Sequence, residues 1–447
     1  MDLKYKRVLV LCLARSGLAA VKVLLKLGAK ITVSEKKNKD EIKELPFLLD
    51  NGVEVVGLEE EVFERDYDLV VKNPGIPYKK WFVVRLEERK IPVITEIELA
   101  FCVAKSQHYA AITGTNGKTT TTTLVYEIFK KAFGEKSHVA GNIGIPLCEV
   151  VIENNLLEES GHYIALEMSN FQLLHIDKFK PEFASIINLT PDHLDYMGSL
   201  DAYYRSKMNI YRNMVAGDTF LLNADDKIIA EYTSQCPIKC DVQTFSLERD
   251  DTECYEKDGY IVLNGEKIID ISKLKIVGKH NRQNVMIAVC AAKKMGVGSE
   301  TIRDVVLSFT GVEHRIEFVR EKDGVRYYND SKGTNTDATI IAVNSFSKNV
   351  ILLVGGFEKG LPMSELKKNS GSVKSVIGYG ACGKRLVSEL VGDEGTVVET
   401  LEQAVNEAYK IAKSGDTVLL SPTTSSFDQY TCFEERGDHF KKLVWSL

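Results

Sequence analysis

The segment that most constrains this chain lies between Tyr109 and Thr120. An apolar run, Tyr109–Ile112, leads into Gly114-Thr115-Asn116-Gly117-Lys118-Thr119, and a helical pattern starts at Thr120. A strand that turns through glycines directly into a helix aims several backbone N–H groups and the positive helix end at one spot. That spot suits phosphate, with the lysine reaching the terminal phosphates and the following hydroxyl taking Mg²⁺. The full motif asks for one more glycine at a position filled here by Ile112. The alternative is a Gly-rich turn carrying a surface lysine; the apolar strand before Gly-Lys-Thr-Thr argues against it. The loop implies a nucleotide and a largely parallel sheet, and leaves the reaction open.

The rest of the chain fits such a sheet. Short apolar runs alternate with amphipathic helical stretches, the pattern of α/β domains. In the first block, Arg7–Leu13 reads as a buried strand, Gly17–Leu27 as a helix and Lys30–Ser34 as the next strand, with further strands at Val53–Val56, Asp68–Val71 and Pro92–Ile94. This is a small Rossmann-like unit. The block with the phosphate loop continues with strands at Tyr163–Leu166, Phe183–Asn188 and Thr219–Leu222, a β-rich patch over Asp241–Val277 and two helices within Asn281–Phe309. A third block resumes the alternation, with two strands around Arg326–Tyr328 and others at Val350–Val354, Val376–Tyr379 and Thr417–Leu420. With 447 residues the chain has room for about three domains. The expected division is a Rossmann-like N-terminal domain over 1–98, a central P-loop ATPase-like domain over 99–311 and a Rossmann-like C-terminal domain over 312–447.

Charge and cysteine usage narrow the partners. A formal net charge of -6 argues against nucleic acid or an acidic membrane as the main partner. The 9 cysteines form no framework and suit a reducing compartment. Cys236 and Cys240 lack a second pair to complete a zinc site and read as free thiols. The run Val8–Ala14 is followed by a turn rather than a cleavage site, and no apolar run reaches the ~20 residues of a membrane span. A cytoplasmic monomer is expected.

Further candidates sit after strands, at the same sheet edge as the phosphate loop. Glu167 follows Tyr163–Leu166 and can take Mg²⁺ there, or be merely an exposed acid. Thr190-Pro191-Asp192-His193-Leu194-Asp195 follows another strand. His193 suits a metal or a substrate, and Asp192 can instead cap a turn. Lys207 lies on a helical stretch, and nothing in its surroundings in sequence singles it out. Asn281 and Asn284 share a helix face, where two amides can read an adenine edge or cap the helix.

Taken together these segments resemble the Mur ligase family. Thr113 to Thr120 resembles its ATP loop. Gly141-Asn142-Ile143-Gly144, Leu166-Glu167-Met168-Ser169-Asn170-Phe171-Gln172-Leu173, Asp192-His193-Leu194-Asp195 and His280-Asn281 with Asn284 follow in family order. His314-Arg315-Ile316-Glu317 and Asn329-Asp330-Ser331-Lys332-Gly333-Thr334-Asn335 continue it, so the resemblance spans essentially the whole chain. Ala14-Arg15-Ser16-Gly17, Asn73-Pro74-Gly75-Ile76 and Ser421-Pro422-Thr423-Thr424-Ser425-Ser426-Phe427-Asp428-Gln429-Tyr430 are similar to the family's D-glutamate-adding branch. The Asp-Asn-Pro-Arg signature of the diamino-acid-adding branch is absent.

The resemblance implies an ATP-dependent amide ligase that joins D-glutamate to UDP-N-acetylmuramoyl-L-alanine in peptidoglycan synthesis, with two Mg²⁺ ions. It implies that Gly114, Thr115, Asn116, Gly117, Lys118, Thr119 and Thr120 hold the ATP phosphates, and that Asn284, Arg315 and Asp330 hold the rest of the nucleotide. Thr119, Glu167, His193 and a carbamylated Lys207 would serve the metals. A carbamate there makes physical sense, because it turns a cation that repels Mg²⁺ into an anion that attracts it. Ser16, Glu35, Lys36, Asn73 and Gly75 would face the uridine diphosphate, and Asn142 the muramoyl group. Lys332, Thr334, Lys359, Ser421 and Phe427 would surround D-glutamate. Lys118, Glu167, His193, Lys207 and Lys332 form the implied catalytic set. Two positions depart from the family pattern. Cys12 replaces a glycine of the first turn, and Glu358 stands where relatives carry Asp or Gly.

Three other readings compete. One is another amide ligase of the family, such as the L-alanine-adding enzyme or a folate polyglutamate ligase; the latter lacks a uridine-binding first domain, whereas here about a hundred residues precede the ATP loop. A nicotinamide oxidoreductase, suggested by the Rossmann-like start, would need Gly-x-Gly-x-x-Gly in that first block, where it is absent, and would leave the ATP loop unexplained. An ATP-driven switch protein would hydrolyse ATP with no amino acid present.

Overall fold

The computed structural model describes residues 1–190, 197–358, 360 and 362–447. Its strands form three sheets. The chain divides into two compact units, residues 1–269 with 283–305, and residues 270–282 with 306–447.

The first sheet has five parallel strands in the order Glu54–Val56, Lys30–Ser34, Arg7–Leu11, Leu69–Lys72, Val93–Ile94. The chain steps outward one way from Arg7–Leu11, then returns to its other side. That reversal opens a crevice at the carboxyl ends of Arg7–Leu11 and Leu69–Lys72. The first strand stops two residues before the expected Leu13, because Cys12 turns into the left-handed region at φ 72°. The helix that follows starts early, at Arg15.

The second sheet has nine strands. Its parallel part runs Ser137–Gly141, Tyr163–Glu167, His108–Thr113, Phe183–Ile186, Thr219–Asn223, Asp241–Ser246, and Cys254–Lys257 and Tyr260–Leu263 extend it as an antiparallel hairpin toward Glu266–Asp270. The strand order reverses at His108–Thr113, so the phosphate loop emerges where such sheets bind ligands. Ser137–Gly141 was not anticipated, since Ser-His-Val-Ala-Gly is too polar to stand out as an apolar run.

These two sheets share one apolar core. It takes in Val8, Val10, Ala20 and Leu24 from the first and Ala111, Leu147, Val151 and Leu166 from the second. The helix Glu96–Val103 runs between them with both carboxylates of its first turn buried. Glu96 accepts from the Cys148 N–H at 3.0 Å. Glu98 accepts from the N–H groups of Lys178 and Phe179 at 2.7 and 3.0 Å. Lys22 on Arg15–Lys26 adds an ion pair to Glu149 on Leu147–Glu153.

The third sheet, in the second unit, has six strands. Glu317–Lys322 pairs antiparallel with Val325–Asn329, followed by parallel Thr417–Leu420, Val350–Gly355, Val373–Tyr379 and Thr396–Val397. Separate apolar clusters cover its two faces, one around Leu352 and Leu386 and one around Leu353 and Val405. This two-sided burial is why its central strands read as unbroken apolar runs. The carboxyl ends of Val325–Asn329, Thr417–Leu420 and Val350–Gly355 lie side by side and lead into Asp330, Ser421 and Gly356.

Candidate active site

The phosphate loop is built from strand to helix as its sequence requires. Thr113 is fixed by its hydroxyl donating to the Met168 carbonyl at 2.7 Å. The helix Lys118–Phe133 starts two residues before the expected Thr120, directly after Gly117. Gly117 sits at φ 84°, and a Cβ on it would come within 2.6 Å of Asn284 Oδ1. Glycine is thus required both by the backbone angle and by the amide beneath the loop. Asn284 is buried and accepts from Thr121 Oγ1 at 3.0 Å, which places it under the loop rather than at the surface. Asn281 instead donates back to the Val277 carbonyl at 2.7 Å. Thr119 is half-buried and Thr120 buried in the first helical turn.

Asn188 holds the outer side of the loop. Its Oδ1 accepts from the Asn116 N–H at 2.9 Å, its Nδ2 donates to the Asn116 carbonyl at 3.2 Å, and its own carbonyl accepts from the Thr115 N–H at 3.0 Å. Thr115 Oγ1 meets the Thr190 backbone at 3.1 Å and the Tyr203 hydroxyl at 3.2 Å. Asn188, Tyr203 and Thr121 were not anticipated. Asn188, an amide just past an apolar strand in the same position as the loop residues, was the readable signal among them.

Two lysines reach the loop. Lys118 Nζ donates to the Gly114 and Thr115 carbonyls at 2.9 and 2.8 Å. Lys207, on the helix Leu200–Met208, is 1% exposed. Its Nζ donates to the Gly114 carbonyl at 2.9 Å and lies 4.8 Å from the Tyr203 ring centroid. The structure thus singles out a lysine that its sequence surroundings did not. Glu167, at the end of its strand, is buried and accepts from Asn142 Nδ2 at 2.6 Å, while the Asn142 N–H donates to the Glu167 carbonyl at 2.9 Å. His193, with Asp192 and Asp195, lies outside the described residues.

A hydroxyl, a carboxylate and a phosphate-binding loop form a hard oxygen set that suits Mg²⁺, an ion that keeps waters and shares substrate phosphates. Among the described residues no group of three or more His, Cys, Asp or Glu side chains could hold a metal by itself.

In the first sheet's crevice, Asn73 Nδ2 donates to Ser16 Oγ at 2.8 Å, and Asn73 Oδ1 accepts from the Gly75 N–H at 2.9 Å. Glu35 is buried at the end of Lys30–Ser34 and accepts from the N–H groups of Leu13, Lys36 and Lys37 at 2.7, 2.8 and 3.3 Å. Burial alone would raise its carboxyl, yet these three donors hold it below the usual range. Lys36 is exposed and meets Glu35 through its backbone. A Cβ on Gly17 would lie 1.9 Å from the Cys12 carbonyl oxygen, so this turn admits only glycine there.

In the second unit, Asp330 is buried between Ser421 Oγ, which donates at 2.6 Å, and the Ile316 N–H, at 3.2 Å. Burial pushes its carboxyl up to about 7 despite these donors. Ser421 is fully buried, and its hydroxyl also meets Thr339 Oγ1 at 2.9 Å. Arg315 is exposed at a turn whose neighbours His314 and Ile316 both have positive φ, 61° and 44°. Asn329 Nδ2 secures that turn through His314 Nδ1 and Glu317 Oε2 at 3.0 and 2.9 Å. Lys332 is exposed, with its ammonium 5.5 Å from the Phe433 ring centroid and its N–H on the His314 carbonyl at 2.9 Å. Thr334 follows two residues on, half-buried. Phe427 is 66% exposed. Lys359 lies outside the described residues; its neighbour Glu358 is held by Arg385 at 2.8 and 2.6 Å. Arg436, also not anticipated, is buried and joins the Ser331 and Thr424 carbonyls at 2.9 and 3.1 Å.

Parallel sheets, a glycine loop at a strand-order reversal and a buried carboxylate beside it define a P-loop nucleotide-binding α/β protein. The chain belongs to the Mur ligase family: the profile of the Mur ligase middle domain matches residues 112–292, and that of the Mur ligase glutamate ligase domain matches residues 314–424. Its relatives include proteins named UDP-N-acetylmuramoylalanine–D-glutamate ligase. That of Geobacillus kaustophilus is 41% identical over 99% of this chain and 98% of its own length. That of Thermoanaerobacter pseudethanolicus is 42% identical over the full length of both. Among solved structures, the MurF ligase of Thermotoga maritima in complex with ADP shares the fold at a TM-score of 0.57 and 16% identity, covering 100% of this chain and 96% of that one.

Proposed function

We propose that this chain is an ATP-dependent ligase that adds D-glutamate to UDP-N-acetylmuramoyl-L-alanine, a step of peptidoglycan synthesis. The observation that carries the reading is the full-length identity of about two residues in five to ligases of that name, joined to a phosphate loop built as ATP binding requires. We divide the chain into three domains at 1–98, 99–311 and 312–447, a reading supported by the strands of the three sheets, which fall within residues 7–94, 108–270 and 317–420.

The chemistry follows from the substrates. A free carboxylate does not acylate an amine in water. The alanyl carboxylate therefore attacks the γ-phosphorus of ATP in line, ADP departs, and an acyl phosphate forms. The D-glutamate nitrogen then attacks the acyl carbon. Phosphate leaves, the amine proton is given up, and an amide remains. Lys118 and the N–H groups from Gly114 to Thr120 hold the phosphates, so charge moving onto the leaving oxygen meets donors already in place. Thr119, Glu167, His193 and Lys207 as a carbamate would hold two Mg²⁺ ions, which supply charge neutralisation at the phosphates. Asn284 supports the loop from below, and Arg315 and Asp330 take the nucleoside end. Ser16, Glu35, Lys36, Asn73 and Gly75 bind the uridine diphosphate, and Asn142 the muramoyl group. Lys332, Thr334, Lys359, Ser421 and Phe427 bind D-glutamate. The protein works as a cytoplasmic monomer; among the described residues no helix is long and apolar enough to cross a membrane.

Phosphate release from ATP and Mg²⁺, with each co-substrate omitted in turn, tests the reading. Release is expected only with both UDP-N-acetylmuramoyl-L-alanine and D-glutamate, with L-glutamate inert. Release without an amino acid would overturn the named reaction.

A further inference from the structure

Lys72 closes the strand Leu69–Lys72 and is 1% exposed. A lysine so deeply buried costs stability unless its ammonium does something an apolar chain could not. Here it donates to two backbone carbonyls, Asn73 at 3.2 Å and Ile76 at 2.7 Å. Those carbonyls are the two ends of the turn Asn73-Pro74-Gly75-Ile76. The turn is also closed by the Ile76 N–H donating to the Asn73 carbonyl at 3.0 Å. With the carbonyls drawn inward, the Asn73 side chain is left on the crevice side, where it bonds Ser16 and the Gly75 N–H.

The charged groups around Lys72 come from two other elements. Glu87 lies on the helix Trp81–Glu88, and His175 Nε2 is 3.3 Å from its Oε1. Burial pulls the lysine down to about 8, with Glu87 opposing. Burial and the Lys72 charge pull His175 down to about 4, so it is neutral when the lysine titrates.

We propose that Lys72 is a positioning residue for the uridine end of the substrate: its ammonium gathers the carbonyls of Asn73 and Ile76 and so presents the Asn73 amide beside Ser16. The inference rests on the reading of Ser16 and Asn73 as uridine-diphosphate contacts.

The experiment measures KM for each of the three substrates, and kcat, across pH. Lys72→Met is expected to raise KM for UDP-N-acetylmuramoyl-L-alanine about tenfold and leave kcat and the other two KM values within about twofold. In the unaltered enzyme the same KM should climb above pH about 8, and that climb should be missing in Lys72→Met. Glu87→Gln removes the charge that opposes deprotonation, so its climb should begin at lower pH. An unchanged uridine-substrate KM in Lys72→Met, or an equal rise in all three, overturns the proposal. If Lys72→Met does not fold, an unmoved pH profile in Glu87→Gln overturns it instead. Asn73→Ala separates the two readings. A normal uridine-substrate KM there removes the crevice assignment itself, whereas a raised one beside a normal Lys72→Met removes only the role of Lys72.

Discussion

Lys118 and Lys207 donate to the same acceptor, the carbonyl oxygen of Gly114, each at 2.9 Å. Two ammonium groups on one carbonyl repel, and an anion in the loop would relieve that repulsion. Both ammonium groups thus lie at the head of the glycine loop. Converting Lys207 to a carbamate would reverse one of the two signs.

Lys118→Met should lower kcat for ATP-dependent phosphate release by roughly 10²-fold or more, as loss of a preorganised charge-stabilising donor does. Steady-state rates at saturating ATP check this, and a change confined to the KM for ATP would contradict it.

Lys207→Arg and Lys207→Met should fail alike, because a guanidinium keeps the positive charge but does not form the carbamate. The unaltered enzyme should lose activity when bicarbonate and carbon dioxide are stripped and regain it on their return. An active Lys207→Arg enzyme would show that only the cation matters.

Asp330→Asn should abolish turnover yet raise the thermal midpoint near pH 8. The carboxyl of Asp330 is raised from 3.8 to about 7, so the native state binds its proton more tightly than the unfolded chain. Its contribution to stability is complete below pH about 4 and lost as pH rises through about 7. The stabilisation by Asn should therefore shrink toward zero in scans near pH 4. A constant difference across pH would mean that Asp330 does not titrate in the folded protein.

Gly17→Ala should destabilise the first unit by about 2 kcal/mol or more, because its Cβ would collide with the Cys12 carbonyl. Cys12→Gly should be neutral or mildly stabilising, since glycine accepts φ 72° without the roughly 1–2 kcal/mol left-handed cost of a side chain. Denaturant midpoints of the two variants decide the matter.

How much of this was readable beforehand depended on the kind of signal. The strand Thr417–Leu420, buried along its whole length, was legible to the residue because an apolar run such as Val418–Leu420 has few other uses, and Lys30–Ser34 was legible to the residue although Lys30, Thr32 and Ser34 interrupt its apolar residues. The edge strands Ser137–Gly141 and Thr396–Val397 were not, being short or polar. Loop residues announced themselves through glycine and proline. Residues acting at long sequence range did not. Lys207 reaches Gly114 across 93 positions, and Arg436 reaches Ser331 across 105, and no local pattern encodes either contact. Ser421 was anticipated as a D-glutamate contact. The structure adds that its hydroxyl is committed to Asp330 and Thr339.

The helix Glu96–Val103 has a consequence for anyone recombining relatives of this chain. Its two acid side chains accept from the backbone amides of Cys148, Lys178 and Phe179, and Glu98 also from Cys102 Sγ on the same helix at 3.3 Å, so the partners they have outside the helix are main-chain groups that mutation does not swap. A chimera joined after residue 98 would inherit Glu96 and Glu98 from one parent and the amides they saturate from the other. It would keep that seam only where both parents trace the same backbone path, so crossover points upstream of Glu96 are the ones that preserve it.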